Sequence, residues 1–326
     1  MSAINLSESQ TQGRRVLISV NPKAGRTSPF KRAEILCQEL TKLGFEAELL
    51  TDLAEVAAKA NEAYGRRELR AVVGVGGDGT AAELVNRTEP GVPVTLLAAG
   101  TANLLAKQFR LPTCPRGMAQ VIASGTPLTL DAGLANGRLF LAMVSAGIDA
   151  DIVRQVHAAR EENYKTNAKK GAHISYLSYM NPIFKSLRHY RYPEIHVDVK
   201  DDARATSAEL VGRWAFIFNL PRYGWGVSFT PACRGADGRL DFCVFRKGGV
   251  IRSVFNAACA QFGGVHRVLP TTRLGQGTDY ALRADVPVPY QLDGDPAGYL
   301  PVSVKIIPGR FTTLVASAVA KKLQKK

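Results

Sequence analysis

Two short segments carry acids in settings where chemistry could be done. Gly74-Val75-Gly76-Gly77-Asp78-Gly79-Thr80 follows an apolar run, Ala71–Val75, and leads into Ala81-Ala82-Glu83-Leu84-Val85, which reads as a helix. Glycines at such a strand–helix junction let backbone N–H groups approach a phosphate closely, and the helix N-terminus adds partial positive charge. The second segment, Gln291-Leu292-Asp293-Gly294-Asp295, holds two carboxylates on one turn. Such a pair can aim one carboxylate at a metal network and the other at a reacting hydroxyl, although Asp-Gly is equally the dipeptide of an ordinary hairpin. The first segment thus points to phosphate binding, while the second, taken alone, stays open between chemistry and an ordinary turn.

Competing readings of the glycine loop fail on context. Gly74, Gly76 and Gly79 satisfy G-x-G-x-x-G, but the dinucleotide fingerprint belongs to the first strand–helix unit and wants an acid ~20 positions on, where Val94–Ala99 is wholly apolar. Neither a Walker loop nor the H-R-D and D-F-G signatures of protein kinases occur. Two more loops join the first. Asn21-Pro22-Lys23-Ala24-Gly25-Arg26 follows the apolar run Val16–Val20, and Gly100-Thr101-Ala102-Asn103 follows Val94–Ala98. Three polar or glycine-rich loops then lie at the carboxyl ends of parallel strands, where open α/β sheets bind ligands.

The elements that must position these loops are readable from periodicity. Val16–Val20 predicts a buried strand; Phe30, Ala33, Leu36, Cys37, Leu40 and Leu43 trace one helical face that Gly44 ends; Phe45–Leu50 predicts a second strand. A helix on Leu53, Val56, Ala57, Ala60 and Tyr64, a strand at Ala71–Val75, a strand at Val94–Ala98 and a helix over Asn103–Phe109 complete an α/β pattern with a parallel sheet. After about Thr129 strands follow strands. Asn136-Gly137 predicts a hairpin, and Glu194–Lys200, Arg213–Leu220, Leu240–Phe245, Tyr280–Ala284 and Val302–Ile307 read as extended, giving a β-rich antiparallel second domain. A helical block between Asp151 and Tyr192 interrupts it, with eight Lys or Arg against three acids.

Composition bounds the function classes. With 326 residues, 46% hydrophobic and 21% charged, the chain is globular with about two domains. The net charge of +14 favours acidic partners such as phosphate-bearing ligands or an anionic membrane face. The longest charge-free stretch, Pro90–Ala106, has 17 residues and two prolines, short of the ~20 a spanning helix needs. The polar start, Met1–Gln12, does not read as a signal peptide, and five cysteines without C-x-x-C suit free, mostly buried thiols in a reducing cytoplasm.

In the order Asn21-Pro22-x-x-Gly25, Gly76-Gly77-Asp78-Gly79-Thr80 with Glu83 and Asn86, Gly100-Thr101-x-Asn103, Asp237-Gly238-Arg239-Leu240-Asp241 and Asp293-Gly294-Asp295, the chain resembles the diacylglycerol kinase catalytic-domain family. The likeness is specifically to the bacterial soluble lipid kinases, and sphingosine and ceramide kinases are similar. The resemblance implies a nucleotide domain like that of NAD kinases and diacylglycerol kinases over 14–129, rejoined by a C-terminal return at about 309–318, and a lipid- and metal-binding domain over 130–308. It implies that Asn21, Pro22, Lys23, Ala24, Gly25, Thr51, Gly76, Gly77, Asp78, Gly79, Thr80, Ala81, Ala82 and Thr101 hold ATP. Asp78 would act near the phosphates, Arg234, Asp237 and Arg239 would form a Mg2+ site built partly from backbone carbonyls, and Asp295, with Asp293 beside it, would be the proton acceptor.

Within the resemblance there are departures: Leu104 stands where the family commonly has Asp, and Asp295 where it has Glu. The expected activity is transfer of the γ-phosphoryl group to diacylglycerol or a similar long-chain alcohol. The rivals are an NAD-kinase-like enzyme and a nucleotide- or lipid-binding regulator without turnover. The expected partners are a lipid substrate at a membrane surface and anionic phospholipid, through the basic Arg154–Arg191 block, and no nucleic acid. A homodimer is compatible with the sequence. The expected location is cytoplasmic and peripherally membrane-associated. The five histidines show no ligand spacing and read as ordinary surface or core residues, and Ser145 as structural.

Overall fold

The run Val16–Val20 is buried along its whole length and forms β1 (Arg15–Val20) of a parallel sheet with β2 (Glu46–Leu50), β3 (Leu69–Gly76) and β4 (Val94–Ala98), in the order β2-β1-β3-β4. Both inner strands read as continuous apolar runs because helices cover both faces. The computed structural model describes residues 13–20, 29–100, 102–166, 186, 188–202, 204–261 and 264–324. The chain divides into two compact units, one of Met1–Leu130 with Gly309–Lys326, the other of Asp131–Pro308.

In the first unit α1 (Pro29–Lys42) and α5 (Pro115–Ser124) lay Ala33, Leu36, Leu40, Met118, Val121 and Ile122 against β1 and β3. The helices α2 (Leu53–Gly65) and α3 (Asp78–Arg87) also pack on the sheet, and α4 (Leu104–Gln108) follows β4. Asp52 starts α2 by accepting the N–H groups of Ala54 and Glu55, each at 2.8 Å. The predicted helix ending at Gly44 stops there, with that glycine at φ +82°. The helix α5 escaped the sequence reading: it is short, and Cys114 caps it by accepting the Gly117 N–H through Sγ at 3.4 Å.

The strands β5 (Thr126–Ala135) and β6 (Arg138–Phe140) form the hairpin predicted from Asn136-Gly137, both turn residues at positive φ. The second unit holds two six-stranded sheets. One runs β6-β5-β16-β13-β8-β9, with β8 (Ile195–Asp201), β9 (Thr206–Gly212), β13 (Asp279–Arg283) and β16 (Val302–Val315). The other runs β12-β11-β10-β7-β14-β15, with β7 (Met143–Ala146), β10 (Trp214–Phe218), β11 (Leu240–Phe245), β12 (Thr272–Gly277), β14 (Pro289–Leu292) and β15 (Asp295–Tyr299). Val197, Val199, Leu282 and Val304 from the first sheet meet Val144, Ile217, Val244 and Leu292 from the second in one apolar core. The helices α6 (Ile148–Thr166), α7 (Val250–Gln261) and α8 (Ser317–Gln324) complete the described elements.

The strand β16 is far longer than the predicted Val302–Ile307 and continues into the first unit, where Thr312 bridges Pro93 in parallel. The cysteines are free, as expected, but not mostly buried: Cys233 and Cys243 are, Cys37 and Cys259 are half-buried, and Cys114 is exposed at its helix cap. No helix among the described residues is long and apolar enough to cross a membrane. Much of the basic block, including Lys169 and Lys170, lies outside the described residues.

Candidate active site

The glycine loop sits at the carboxyl end of β3, and α3 begins at Asp78 with Gly77 as a cap that offers no side chain. Two neighbouring loops touch through their glycines. A Cβ on Gly100 would lie 2.6 Å from the Gly77 Cα, so backbone meets backbone there and only glycine fits. The Gly100 loop is locked by Asn103, whose side chain accepts the Gly100 N–H at 3.0 Å and donates to the Gly100 carbonyl at 2.8 Å. Ala99 adds an N–H to the Gly76 carbonyl at 2.7 Å.

Asp78 binds these loops together. Its two carboxylate oxygens accept the N–H groups of Leu104 and Leu105, each at 2.9 Å, and so close the N-terminus of α4. Burial pushes its carboxyl above the usual range, against the opposing pull of those N–H groups and of Lys107. The contact at position 104 is made by the backbone, so the leucine found there does not disturb it. Thr80, Ala81 and Ala82 are buried in the first turns of α3, Gly79 is half-buried, and Thr51 is exposed immediately before the cap of α2. Asn21, Pro22, Lys23, Ala24, Gly25 and Thr101 lie outside the described residues.

In the second unit the two carboxylates of the Asp293–Asp295 turn part company. Asp293 stands at φ +51° and accepts the N–H groups of Leu141, Ala142 and Met143 at 2.6, 2.8 and 2.9 Å. Its backbone N–H returns to the Met143 carbonyl at 3.0 Å. Asp293 therefore anchors the turn that carries Asp295 through three backbone N–H groups. Asp295 keeps about a third of its side chain exposed, with His157 Nε2 of α6 lying 3.4 Å from its Oδ1.

Behind the turn lies a buried polar network. Gln291 accepts the Gly294 N–H through Oε1 at 2.7 Å and donates to Ser145 Oγ at 2.9 Å and Asp149 Oδ2 at 3.3 Å. Asp149 also accepts from Ser145, from the Trp214 indole at 2.7 Å and from Tyr223 at 3.2 Å. Burial drives its carboxyl pKa up while the donors hold it down. Ser145 is fully buried within this network.

Arg234, Asp237 and Arg239 line one cavity of about 510 Å³ with Asp241, Arg267 and Gln276. The loop that carries Asp237 is clamped by Asp131, which accepts the Gly238 N–H at 2.8 Å and donates its own N–H to the Gly235 carbonyl at 2.8 Å. Gln276 donates to Asp237 at 3.3 Å and Asp241 at 3.2 Å, and burial raises the Asp241 carboxyl to about 6. No cluster of three or more His, Cys, Asp or Glu that could hold a metal occurs among the described residues.

Sequence reasoning missed Asp131, Asp149, His157 and Gln291. An acid between Leu130 and Ala132 in an apolar strand marks a buried charge that must find a donor, which is a usable signal for Asp131. The histidine carries none, because its proximity to Asp295 depends on how α6 lies against β14 and β15.

Residues 15–135 match the family profile described as the diacylglycerol kinase catalytic domain, and 142–315 that of the YegS C-terminal NAD kinase beta sandwich-like domain. A diacylglycerol kinase of Staphylococcus saprophyticus is 23% identical over 88% of this chain and 91% of its own length. One of Bacillus subtilis is 23% identical over 77% and 80%. A solved diacylglycerol kinase structure from Bacillus anthracis superposes with a TM-score of 0.66 at 17% identity, over 95% of this chain and 99% of that one, which is a likeness of fold.

Proposed function

Because the chain belongs to the diacylglycerol kinase catalytic-domain family, we propose that it is an ATP-dependent lipid kinase whose acceptor is the hydroxyl of diacylglycerol or a similar long-chain alcohol. Kinase-family membership carries the phosphotransferase class; the lipid acceptor is the finer step. The observation that supports it is the division of labour in the Asp293–Asp295 turn, where one acid fixes the backbone and the other is left partly exposed.

The residues of each unit have definable tasks. The glycine loop and the N-terminus of α3 present backbone N–H groups to phosphate oxygens, and Asp78 holds the neighbouring loop by its tie to α4. A Mg2+ ion would be held by the Asp237 carboxylate with the main-chain carbonyls of Arg234 and Arg239, and Asp241 in the same cavity adds a second carboxyl nearby. When bound, such a cation offsets the negative charge of phosphate oxygens. Asp295 takes the proton of the lipid hydroxyl as that oxygen attacks the γ-phosphorus and ADP leaves, and His157 orients the Asp295 carboxylate.

The test is direct. The protein is incubated with γ-labelled ATP, magnesium, diacylglycerol, other long-chain alcohols and NAD. Label should enter the lipid phase; label on NAD alone, or on no acceptor, overturns the reading.

A further inference from the structure

The helix α7, Val250-Ile251-Arg252-Ser253-Val254-Phe255-Asn256-Ala257-Ala258-Cys259-Ala260-Gln261, is amphipathic in the inverted sense. Its buried positions are Ser253, Asn256 and Ala260, whereas Ile251, Val254 and Phe255 are 85%, 56% and 52% exposed. With Ala258, also exposed, these stand at i, i+3, i+4 and i+7, a single helical stripe. A helix normally turns such a stripe to the core. Here the polar side is held instead: Ser253 Oγ donates to the Tyr192 hydroxyl at 3.2 Å, and the preceding Gly248 lies against the Tyr192 ring, where any Cβ would clash.

The apolar surface extends beyond the helix. The 3-10 turn Val265–Val268 packs on α7 and leaves Val265 and Val268 exposed, because His266 between them is buried and paired with the Phe229 carbonyl at 2.8 Å. Of the twelve large hydrophobic side chains exposed among the described residues, six fall between Val250 and Val268, so this is a patch and not scatter.

Charge identifies the occupant. Residues 246–278 contain no Asp or Glu but five cations, Arg246, Lys247, Arg252, Arg267 and Arg273, all exposed. A second copy of this chain would bring five cations against five, whereas an anionic bilayer offers apolar depth and negative charge together. We propose that α7 and the Val265–Val268 turn form a docking surface for anionic lipid bilayers, on which Ile251, Val254, Phe255 and Val268 insert while the flanking cations meet the headgroups. This location rests on the lipid-kinase reading for its purpose but not for its test. It also differs from the Arg154–Arg191 block that the sequence favoured.

The test is sedimentation of the full chain, without ATP, on vesicles of phosphatidylcholine alone and of phosphatidylcholine mixed with phosphatidylglycerol. The protein should bind the mixed vesicles, and less so as salt rises. The pair Ile251→Ser and Phe255→Ser should weaken binding about a hundredfold, each lost anchor counting for about tenfold. Lys247→Gln with Arg252→Gln should weaken it severalfold and flatten the salt dependence. Phosphorylation of a detergent-dispersed lipid alcohol should survive both pairs, which separates failure of docking from failure of the kinase reading. A Val268→Trp variant should shift its emission to the blue on mixed vesicles. Wild-type protein that ignores anionic vesicles, a serine pair that binds normally, or a serine pair that instead turns a dimer into a monomer in sedimentation equilibrium would each overturn the proposal.

Discussion

In the turn after β3 the single aspartate, Asp78, gives both carboxylate oxygens to the N–H groups of Leu104 and Leu105, whereas the turn between β14 and β15 carries two aspartates and spends only the first. The first turn thereby ties the glycine loop to the start of α4. The second divides its acids, because Asp293 and the Gln291 tie to Gly294 fix the bend that carries the more exposed Asp295. An acid in a glycine-rich motif is therefore no guide to its own task until its donors are known. Three backbone N–H groups make an anchor; Asp295 has instead a histidine at 3.4 Å and partial exposure.

The sharpest way to break this comparison is to remove the free acid. Asp295→Ala should lower kcat by ~10²–10⁴ with ATP affinity and the thermal midpoint unchanged, the range for loss of a general base. His157→Gln should cost much less, chiefly altering the pH profile of kcat. A silent Asp295→Ala measured in the lipid assay would return the catalytic role to another group.

Asparagine at the two anchors should produce the opposite signature. In Asp78→Asn or Asp293→Asn the amide NH2 faces backbone N–H donors, and each orphaned donor costs about 1–3 kcal/mol. The thermal midpoint should fall in both variants, further for Asp293→Asn because three N–H groups depend on it. Loss of activity with an unchanged midpoint at either position would show a direct chemical role and erase the distinction drawn here.

Legibility in the sequence followed locality. Strands β4 and β11 have the bounds predicted, and the β5–β6 hairpin follows from Asn136-Gly137, because a buried run or a positive-φ pair declares itself within a few residues. The glycine loop was equally plain. What stayed hidden depends on distant partners: Asp293 is anchored by residues about 150 positions earlier, and β12 (Thr272-Arg273-Leu274-Gly275-Gln276-Gly277) lacks alternation because its glycines accommodate neighbours such as the Phe242 ring. The stripe on α7 has a helical period but the reverse of the usual burial, which no periodicity reports.

Asp241 stands between the two cases, tied by two side-chain donors, Gln276 and the Cys233 thiol, yet buried enough that its carboxyl rises to about 6. A carboxyl whose folded pKa exceeds its ordinary value of 3.8 binds more protons in the native than in the unfolded chain between those two values. Stability must then fall as pH rises from about 4 to about 6, the reverse of a carboxylate held by a salt bridge. Solvent reaching the cavity limits the effect to about 1–2 kcal/mol. Urea unfolding of the wild type across that interval should show this decline, and Asp241→Asn should remove it while Asp237→Asn, which lifts one repelling charge and leaves the burial, only reduces it. A divalent cation bound at Asp237 should lower the Asp241 pKa by its charge and move the decline to lower pH. An Asp241→Asn profile that superposes on the wild type would mean that the carboxylate is better tied than Gln276 and Cys233 imply, and would put Asp241 with the anchors.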